Sequence, residues 1–245
     1  MRVNEIFYSI QGEGHYTGTP AVFVRLAGCN LNCWFCDTEF HSFTEMSEDE
    51  IVAEASQYPS RYMVITGGEP TLQLTASLTS KLHAIGFYIM LETNGTQPLP
   101  EGCIVDWITC SPKCPSPATQ HQTPITQHQS PVTHYPIRIQ HIDELKVVYE
   151  GTEQDMSQYD VIQAKEYRLQ PCCTGDRQKD TFITNQTIDY ILTHPKWRLS
   201  LQTHKILGVR SERRRGRRQK GKPRTDTYYT LGVAPTALTK KHQHR

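Results

Sequence analysis

The chain has 245 residues, 37 % of them hydrophobic and 21 % charged, which is enough for one substantial folded domain. No stretch approaches the ~20 consecutive apolar residues of a membrane span, and the opening MRVNEIFYSIQGEG has neither a signal-peptide core nor a small-residue cleavage site, so a cytoplasmic protein with reduced thiols is expected. The net charge of +1 conceals an asymmetry: residues 208–245 carry 12 Lys and Arg against Glu212 and Asp226, a charge of +10, which leaves 14 basic against 23 acidic residues, −9, in positions 1–207.

Taken in chain order, residues 21–27 read as a buried strand that runs directly into three closely spaced cysteines. Residues 47–56 follow a helical pattern, with Ser47 as N-cap and Glu50 completing a capping box. A strand at 62–66 ends in Gly67-Gly68-Glu69-Pro70, and a helix is predicted over 72–85. Strands at 87–92 and 105–109 end in Thr93-Asn94-Gly95-Thr96 and Ser111-Pro112-Lys113. Strands follow at 144–149 and 167–170, a helix at 187–192 and a last strand at 198–202. Strands alternating with helices, with polar or glycine residues just after each strand, predict an α/β fold with a parallel sheet and a site at the strand C-termini. The units are too few for a closed eight-fold barrel, so a partial, open TIM-like barrel is expected.

Two segments fall outside this rhythm. The stretch PATQHQT-PITQHQS-PVTH (117–134) is a seven-residue Pro- and Gln-rich repeat without an apolar face, read as a low-complexity insertion over about 115–136 of a tandem-duplicated surface loop. Its His121, His128 and His134 could bind metal, which is the weaker reading. Residues 208–245, with the run from Arg213 to Lys220, read as a basic, disordered tail rather than an RNA-binding arm, and residues 1–207 as the folded core.

Cys29, Cys33 and Cys36 form a C-x3-C-x2-C triplet without a fourth partner nearby. Three thiolates hold three corners of a [4Fe–4S] cubane and leave the fourth iron open to a reacting ligand, whereas a structural metal site closes itself with four. A zinc site completed by a distant Cys or His is the alternative, and a disulfide staple fits neither the odd count nor the compartment.

The neighbouring residues narrow this choice. Phe35 directly precedes Cys36, and the glycine pair Gly67-Gly68-Glu69-Pro70 follows a strand some thirty residues later, so the chain resembles the radical S-adenosylmethionine (SAM) enzymes. Gln11-Gly12-Glu13-Gly14, Arg25, Cys36-Asp37-Thr38, Glu92-Thr93-Asn94-Gly95-Thr96, Ser111-Pro112-Lys113, Leu169-Gln170-Pro171 and 197–205 (WRLSLQTHK), in this order, resemble the 7-carboxy-7-deazaguanine synthase family within that superfamily. The resemblance covers residues 1–207 apart from the repeat.

The resemblance implies a radical SAM type of partial barrel. It implies a carbon–nitrogen lyase in 7-deazapurine (queuosine) biosynthesis that contracts 6-carboxy-5,6,7,8-tetrahydropterin and releases ammonia, with SAM regenerated as a true cofactor. Cys29, Cys33 and Cys36 would hold the cluster. Gly68, the carboxylate of Glu69, residues Ser111, Pro112 and Lys113, and Gln170, Pro171, Cys172 and Cys173 would meet SAM. The backbone of Ile10, Gln11 and Gly12, the fork of Arg25 on the substrate carboxylate, Thr66 and His204 would meet the pterin. Thr38 would place a Mg2+ ion against the substrate. An electron donor such as a flavodoxin or ferredoxin and a homodimer are further expectations. Two departures stand out: Cys173 lies where an acid is expected, and 38 residues follow Leu207, so that Pro235 takes no role as a C-terminal contact at the site. A radical SAM activating enzyme acting on a partner protein, and a non-catalytic RNA-binding protein, are the alternative classes.

Overall fold

A computed structural model describes residues 1–36, 38, 41–114 and 134–209. The predicted repeat at 117–133 and the tail beyond residue 209 lie outside the described residues, as do Asp37 and Pro235. The elements are β1 (Arg2–Ile10), β2 (Pro20–Leu26), β3 (Thr44–Glu45), α1 (Glu48–Ala55), β4 (Tyr62–Gly67), α2 (Ala76–Ala84), β5 (Tyr88–Thr93), β6 (Trp107–Cys110), β7 (Glu144–Tyr149), β8 (Glu166–Pro171), α3 (Arg177–Thr193), β9 (Arg198–Leu199) and α4 (Thr203–Leu207). The strands form a single nine-stranded sheet in the order β3-β1-β2-β4-β5-β6-β7-β8-β9. From β2 to β9 all pairings are parallel, and β1 and β3 add antiparallel strands at one edge. The edge strands β3 and β9 do not pair, so the expected open barrel is present, with an antiparallel edge that a purely parallel reading omits.

Local chemistry explains where the elements differ from expectation. Ser47 caps α1 as predicted: its hydroxyl accepts from Glu50 N at 3.2 Å and its own N–H donates to Glu50 Oε2 at 2.7 Å. The helix expected from residue 72 begins at Ala76, because Pro70–Leu72 forms a 3-10 turn capped by Glu69 and Thr75 then caps the helix through Leu78 N. The short helix expected at 187–192 is the end of a 17-residue α3. Asp176 starts it by accepting from Gln178 and Lys179 N–H, while Ile183 and Thr187 are its only fully buried residues, so apolar spacing reveals little of it. The predicted strand 198–202 stops at Leu199, and the chain turns into α4, with Thr203 N and Oγ1 both donating to Gly12 O at 2.9 Å.

The core lies in two layers and an inner face. Val22, Val24, Met63, Ile65, Ile89 and Leu91 pack against Ile51, Leu78 and Leu82 of α1 and α2. Ile108, Leu145, Val147 and Leu169 pack with Ile183 of α3, Tyr159 and Trp197. Each such side chain withdrawn from water contributes about 1.5–3 kcal/mol. On the inner face Phe7 and Phe23 stack at 4.8 Å, and both line the cavity described next.

Candidate active site

A cavity of about 480 Å³ opens inside the curve of the sheet, within the size range of small-molecule sites. Its upper wall comes from the segments after the parallel strands. β2 leads through Gly28 into Cys29, Cys33 and Cys36, all of which line the cavity with free thiols. A hydrogen-bond chain anchors this loop: Asn30 Nδ2 donates to Thr96 Oγ1 at 2.8 Å, and Asn94 Nδ2 donates to Asn30 Oδ1 at 3.1 Å. Phe35 packs on the β6–β8 core and lies 5.8 Å beneath the ammonium of Lys113.

The glycine pair after β4 touches this loop directly. A Cβ on Gly68 would come 2.1 Å from Gly28 O and 2.9 Å from Cys29 Cβ, and one on Gly67, at φ 139°, would come 2.0 Å from Leu26 O. The missing side chains therefore let two strand ends meet, which is more than a close approach of backbone to ligand. Glu69 corrects a second expectation. It is fully buried and does not line the cavity; Oε1 accepts from Thr71 N, Thr71 Oγ1 and Thr93 Oγ1, and Oε2 from Asn94 N at 2.8 Å. The carboxylate joins the ends of β4 and β5 rather than facing a ligand's ammonium.

The lower wall is a strap. Residues 11–14 leave β1 at one end of the sheet and cross to the residues after β9 at the other. Gln11 Nε2 donates to Glu92 Oε1 at 2.7 Å, Gly14 N to Ser200 Oγ at 3.0 Å and Gln202 Nε2 to Glu13 Oε1 at 2.8 Å. Gly12 has no room for a side chain, because a Cβ would lie 2.0 Å from His204 Nδ1. The backbone groups expected to meet a pterin already have partners: Gln11 N and O bond Thr19 and Gly18, Gly12 N bonds Gln11 Oε1, and Gly12 O takes Thr203. A ligand would use the second lone pairs of these carbonyls.

The remaining candidates gather on the same cavity. Arg25 and Thr66 are paired in register across β2 and β4 and both line it; Arg25 Nε donates to Glu5 Oε1 at 3.1 Å, so the salt-bridge reading of this arginine is present in part. Ile10, Thr38, Ser111, Lys113, Gln170, Pro171, Cys172, Cys173 and His204 also line it, and Pro112 does not. Cys172 is buried, whereas Cys173 is exposed and donates to Asp180 Oδ2 at 3.7 Å, so an acid stands beside the position where the sequence lacks one. His134 lies apart, stacked on Tyr159, and His121 and His128 lie outside the described residues.

Sequence reasoning passed over Lys146, Glu13, Glu92 and Gln202 as site residues. Glu13, Glu92 and Gln202 stand inside the quoted motifs, and Lys146 is the one cation in the buried run of β7. Lys146 Nζ lies 2.6 Å from Glu13 Oε2 and 3.8 Å from Glu92 Oε2. Burial alone would raise the Glu13 carboxyl, but the charge and hydrogen bond of Lys146, aided by Gln202, hold it at about 2. Burial pulls Lys146 down, yet Glu13 and Glu92 outweigh it and raise the ammonium above the ordinary lysine range. Lys113 shifts the other way, lowered first by burial and then by the charge of Lys146.

The cysteine loop fits an iron–sulfur cluster by its donor chemistry. Burial raises the Cys29 and Cys33 thiols and outweighs the Leu31 N–H on Cys29 and the Lys113 charge near Cys33, which lower them, so these ligands ionise when a cationic group is present to hold the charge. Among the described residues no group of three or more His, Cys, Asp or Glu side chains is placed to hold a single metal ion. Also among the described residues, no helix is long and apolar enough to cross a membrane.

Comparison with known proteins gives concordant results. The Radical SAM superfamily model matches residues 24–130. The chain is 47 % identical over 209 residues to the 7-carboxy-7-deazaguanine synthase of Bacteroides thetaiotaomicron, covering 85 % of this chain and 98 % of that protein. It is 36 % identical over 229 residues to the enzyme of the same name from Bordetella pertussis, covering 84 % and 98 %. The crystal structure of QueE from Escherichia coli superposes with a TM-score of 0.59 at 26 % identity, over 82 % of this chain and 92 % of that one.

Proposed function

We propose a function for a chain that belongs to the 7-carboxy-7-deazaguanine synthase family of the Radical SAM superfamily: it is a carbon–nitrogen lyase that contracts the ring of 6-carboxy-5,6,7,8-tetrahydropterin to 7-carboxy-7-deazaguanine with loss of ammonia. The observation that carries this reading is the set of groups that line one cavity: the three cysteines, Arg25 and Thr38, the acids Glu13 and Glu92, and the rings of Phe7 and Phe23. A flat substrate with a carboxylate and N–H donors finds a counterpart for each of its groups there.

Their shared cavity supports the following roles. Cys29, Cys33 and Cys36 hold the [4Fe–4S] cluster, which with SAM supplies one-electron cleavage to a carbon radical able to remove a hydrogen from the substrate. Gly68, Ser111, Lys113 and the stretch 170–173 border the space next to the thiols and bind SAM, with Pro112 shaping the turn that carries its neighbours. Arg25 clamps the substrate carboxylate, and Thr66, across the strand pair from it, fixes the adjoining edge. Thr38, two residues past Cys36, would offer one oxygen to a Mg2+ ion, which would supply positive charge beside the substrate carboxylate. Ile10, Gln11, Gly12 and His204 close the far end and exclude water from the reacting carbon. Residues 1–207 form the catalytic domain, and 208–245 are dispensable for turnover. A small reduced flavodoxin or ferredoxin delivers the electron, and the enzyme works as a homodimer.

The test is an anaerobic assay of reconstituted protein with SAM, Mg2+, reductant and the carboxytetrahydropterin, read by mass spectrometry. The expected result is a brown protein that forms the deazaguanine carboxylate, and a colourless Cys33→Ala variant that does not. A brown wild-type protein that cleaves SAM without converting the pterin would overturn the assignment and favour an activating enzyme. Loss of turnover on deleting residues 208–245 would overturn the place given to the tail.

A further inference from the structure

Lys146 occupies a costly position. Its side chain is 6 % exposed, in a strand whose neighbours Leu145 and Val147 are fully buried. A buried ammonium persists only where opposite charge compensates it. Here the compensation is shared but unequal, a 2.6 Å hydrogen-bonded pair with Glu13 and a 3.8 Å ion pair with Glu92. Glu13 has Oε2 on Lys146 and Oε1 on Gln202; Glu92 has Oε2 near Lys146 and Oε1 on Gln11. Each carboxylate thus has its own carboxamide and both lean on one cation.

We propose that Lys146 is a positioning residue that holds the carboxylates of Glu13 and Glu92 on the cavity as hydrogen-bond acceptors, so that this wall accepts N–H donors from the substrate. This rests on the reaction proposed above. Without the ammonium, two partly buried carboxylates would lose the cation they share, and like charges left in one site come to share a proton. One of them would then become a donor, the wrong polarity for an N–H edge. The other charged groups around this lock are Glu144 on the same strand, Lys113 after β6, Arg168 on β8 and His204 on α4. Glu144 adds negative charge, and its own carboxyl is raised chiefly by burial; Lys113 and Arg168 oppose it, and neither donates to Glu13 or Glu92 among the hydrogen bonds described. None of them replaces Lys146 between the two acids.

The test is the pH profile of kcat/KM for Lys146→Met, Lys146→Met/Glu13→Gln and Lys146→Arg beside the wild type, with far-UV circular dichroism as the folding control. In Lys146→Met, kcat/KM should fall about 100-fold at pH 7 and climb roughly tenfold per pH unit as the shared proton leaves, while the wild type stays flat. Removing the second acid should flatten the profile again, because no shared proton is left to dissociate. A loss that is independent of pH and unmoved by Glu13→Gln is what simple space-filling would give, and it would overturn the proposal. Lys146→Arg, which keeps the charge but displaces the carboxylates, should raise KM for the pterin several-fold with little change in kcat; an unchanged KM counts against it, and this holds even where the Met variant does not fold. A titration of 13C-glutamate carboxyls by NMR reads the lock without substrate. A new carboxyl titration above pH 6 in Lys146→Met, absent from the double variant, is the expected result; its absence overturns the lock whether or not the wild type converts the pterin.

Discussion

Replacing Glu69 by Gln separates two roles for the acid that follows the glycine pair. In the structure its Oε1 accepts from Thr71 N (3.1 Å), Thr71 Oγ1 (2.6 Å) and Thr93 Oγ1 (2.7 Å), and its Oε2 from Asn94 N (2.8 Å). A carboxamide retains one oxygen and turns the other into a donor. In its better orientation the three bonds on Oε1 survive and the new NH2 faces the Asn94 N–H. One charge-assisted bond is lost, worth about 1.5–3 kcal/mol, and a buried donor is left without an acceptor at about 1–3 kcal/mol more. The sum is about 2.5–6 kcal/mol, in line with the cost of breaking a buried charged contact. For a domain of this size each kcal/mol lowers Tm by about 2–4 °C, so thermal unfolding without SAM should move down by about 5–24 °C. Thr93→Val, which removes one of three donors to Oε1, should cost about 1 kcal/mol. A Glu69→Gln protein that melts within about 2 °C of wild type while its KM for SAM rises would refute the reasoning and return Glu69 to the cofactor site.

Three further outcomes follow from the same contacts. Gly12→Ala drives a methyl to 2.0 Å from His204 Nδ1, so the imidazole must swing out of the cavity; a cost of about 1–3 kcal/mol in melting and a KM for the pterin raised about tenfold or more are expected, and an unchanged KM would separate His204 from the substrate. Glu13 is held at about 2 against an ordinary 4.5, and a depressed acid contributes stability above its unfolded value that disappears as pH falls through the folded one. Urea unfolding of the reduced apo-protein should therefore show wild type more stable than Glu13→Gln at pH 6 by up to about 3 kcal/mol, with the difference shrinking between pH 4.5 and 2. Ser47→Ala removes the hydroxyl arm of the α1 capping box and keeps the backbone N–H arm to Glu50, and should cost about 1 kcal/mol with kinetics unchanged, since Ser47 does not line the cavity.

What the sequence displays depends on how local the underlying physics is. The capping box at Ser47 and Glu50 spans three residues and was legible, as were the apolar strands β2, β4, β5 and β7. The cysteine triplet was legible because its spacing is the chemistry. β1 was not: its inward row, Val3, Glu5 and Phe7, includes an acid that only the partner Arg25 on β2 explains. α3 showed only its C-terminal end, because its N-terminal half is polar and held by Asp176 and by threonine hydroxyls bonding back four residues. Glu69 was misassigned because its four donors come from Thr71, Thr93 and Asn94, the last two on a different strand end; a strand-end carboxylate looks the same in sequence whether it serves a ligand or the fold. Lys146 carried a visible signal, a cation amid Leu145, Val147 and Val148, whose meaning depended on finding Glu13 at the other side of the chain.

The two ends of the cavity therefore come into being differently. The thiol end is set within the eight residues from Cys29 to Cys36, and its fastenings are Gly68 against Gly28 at the adjoining ends of β4 and β2, and Asn30 to Thr96, which reaches past β4 to the end of β5. The acidic end joins residues 81, 133 and 186 apart: Gln11 with Glu92, Glu13 with Lys146, Gly14 with Ser200. Each such contact closes a long loop, whose entropy is recovered only when the whole sheet from β1 to β9 is in place. An open sheet cannot enclose a substrate by itself, and the strap at 11–14 supplies the missing wall by tying the first strand to the residues after the last. The composition of the strap follows from that bridging position. Gln11 and Glu13 span to opposite sides, Gly12 yields its space to His204, and Gly14, at φ 68°, lies against the Glu144 carboxylate. The segment that resembled a substrate-binding motif in sequence is thus also the element that turns a curved sheet into a chamber, and the charges it carries across are those that Lys146 holds in place.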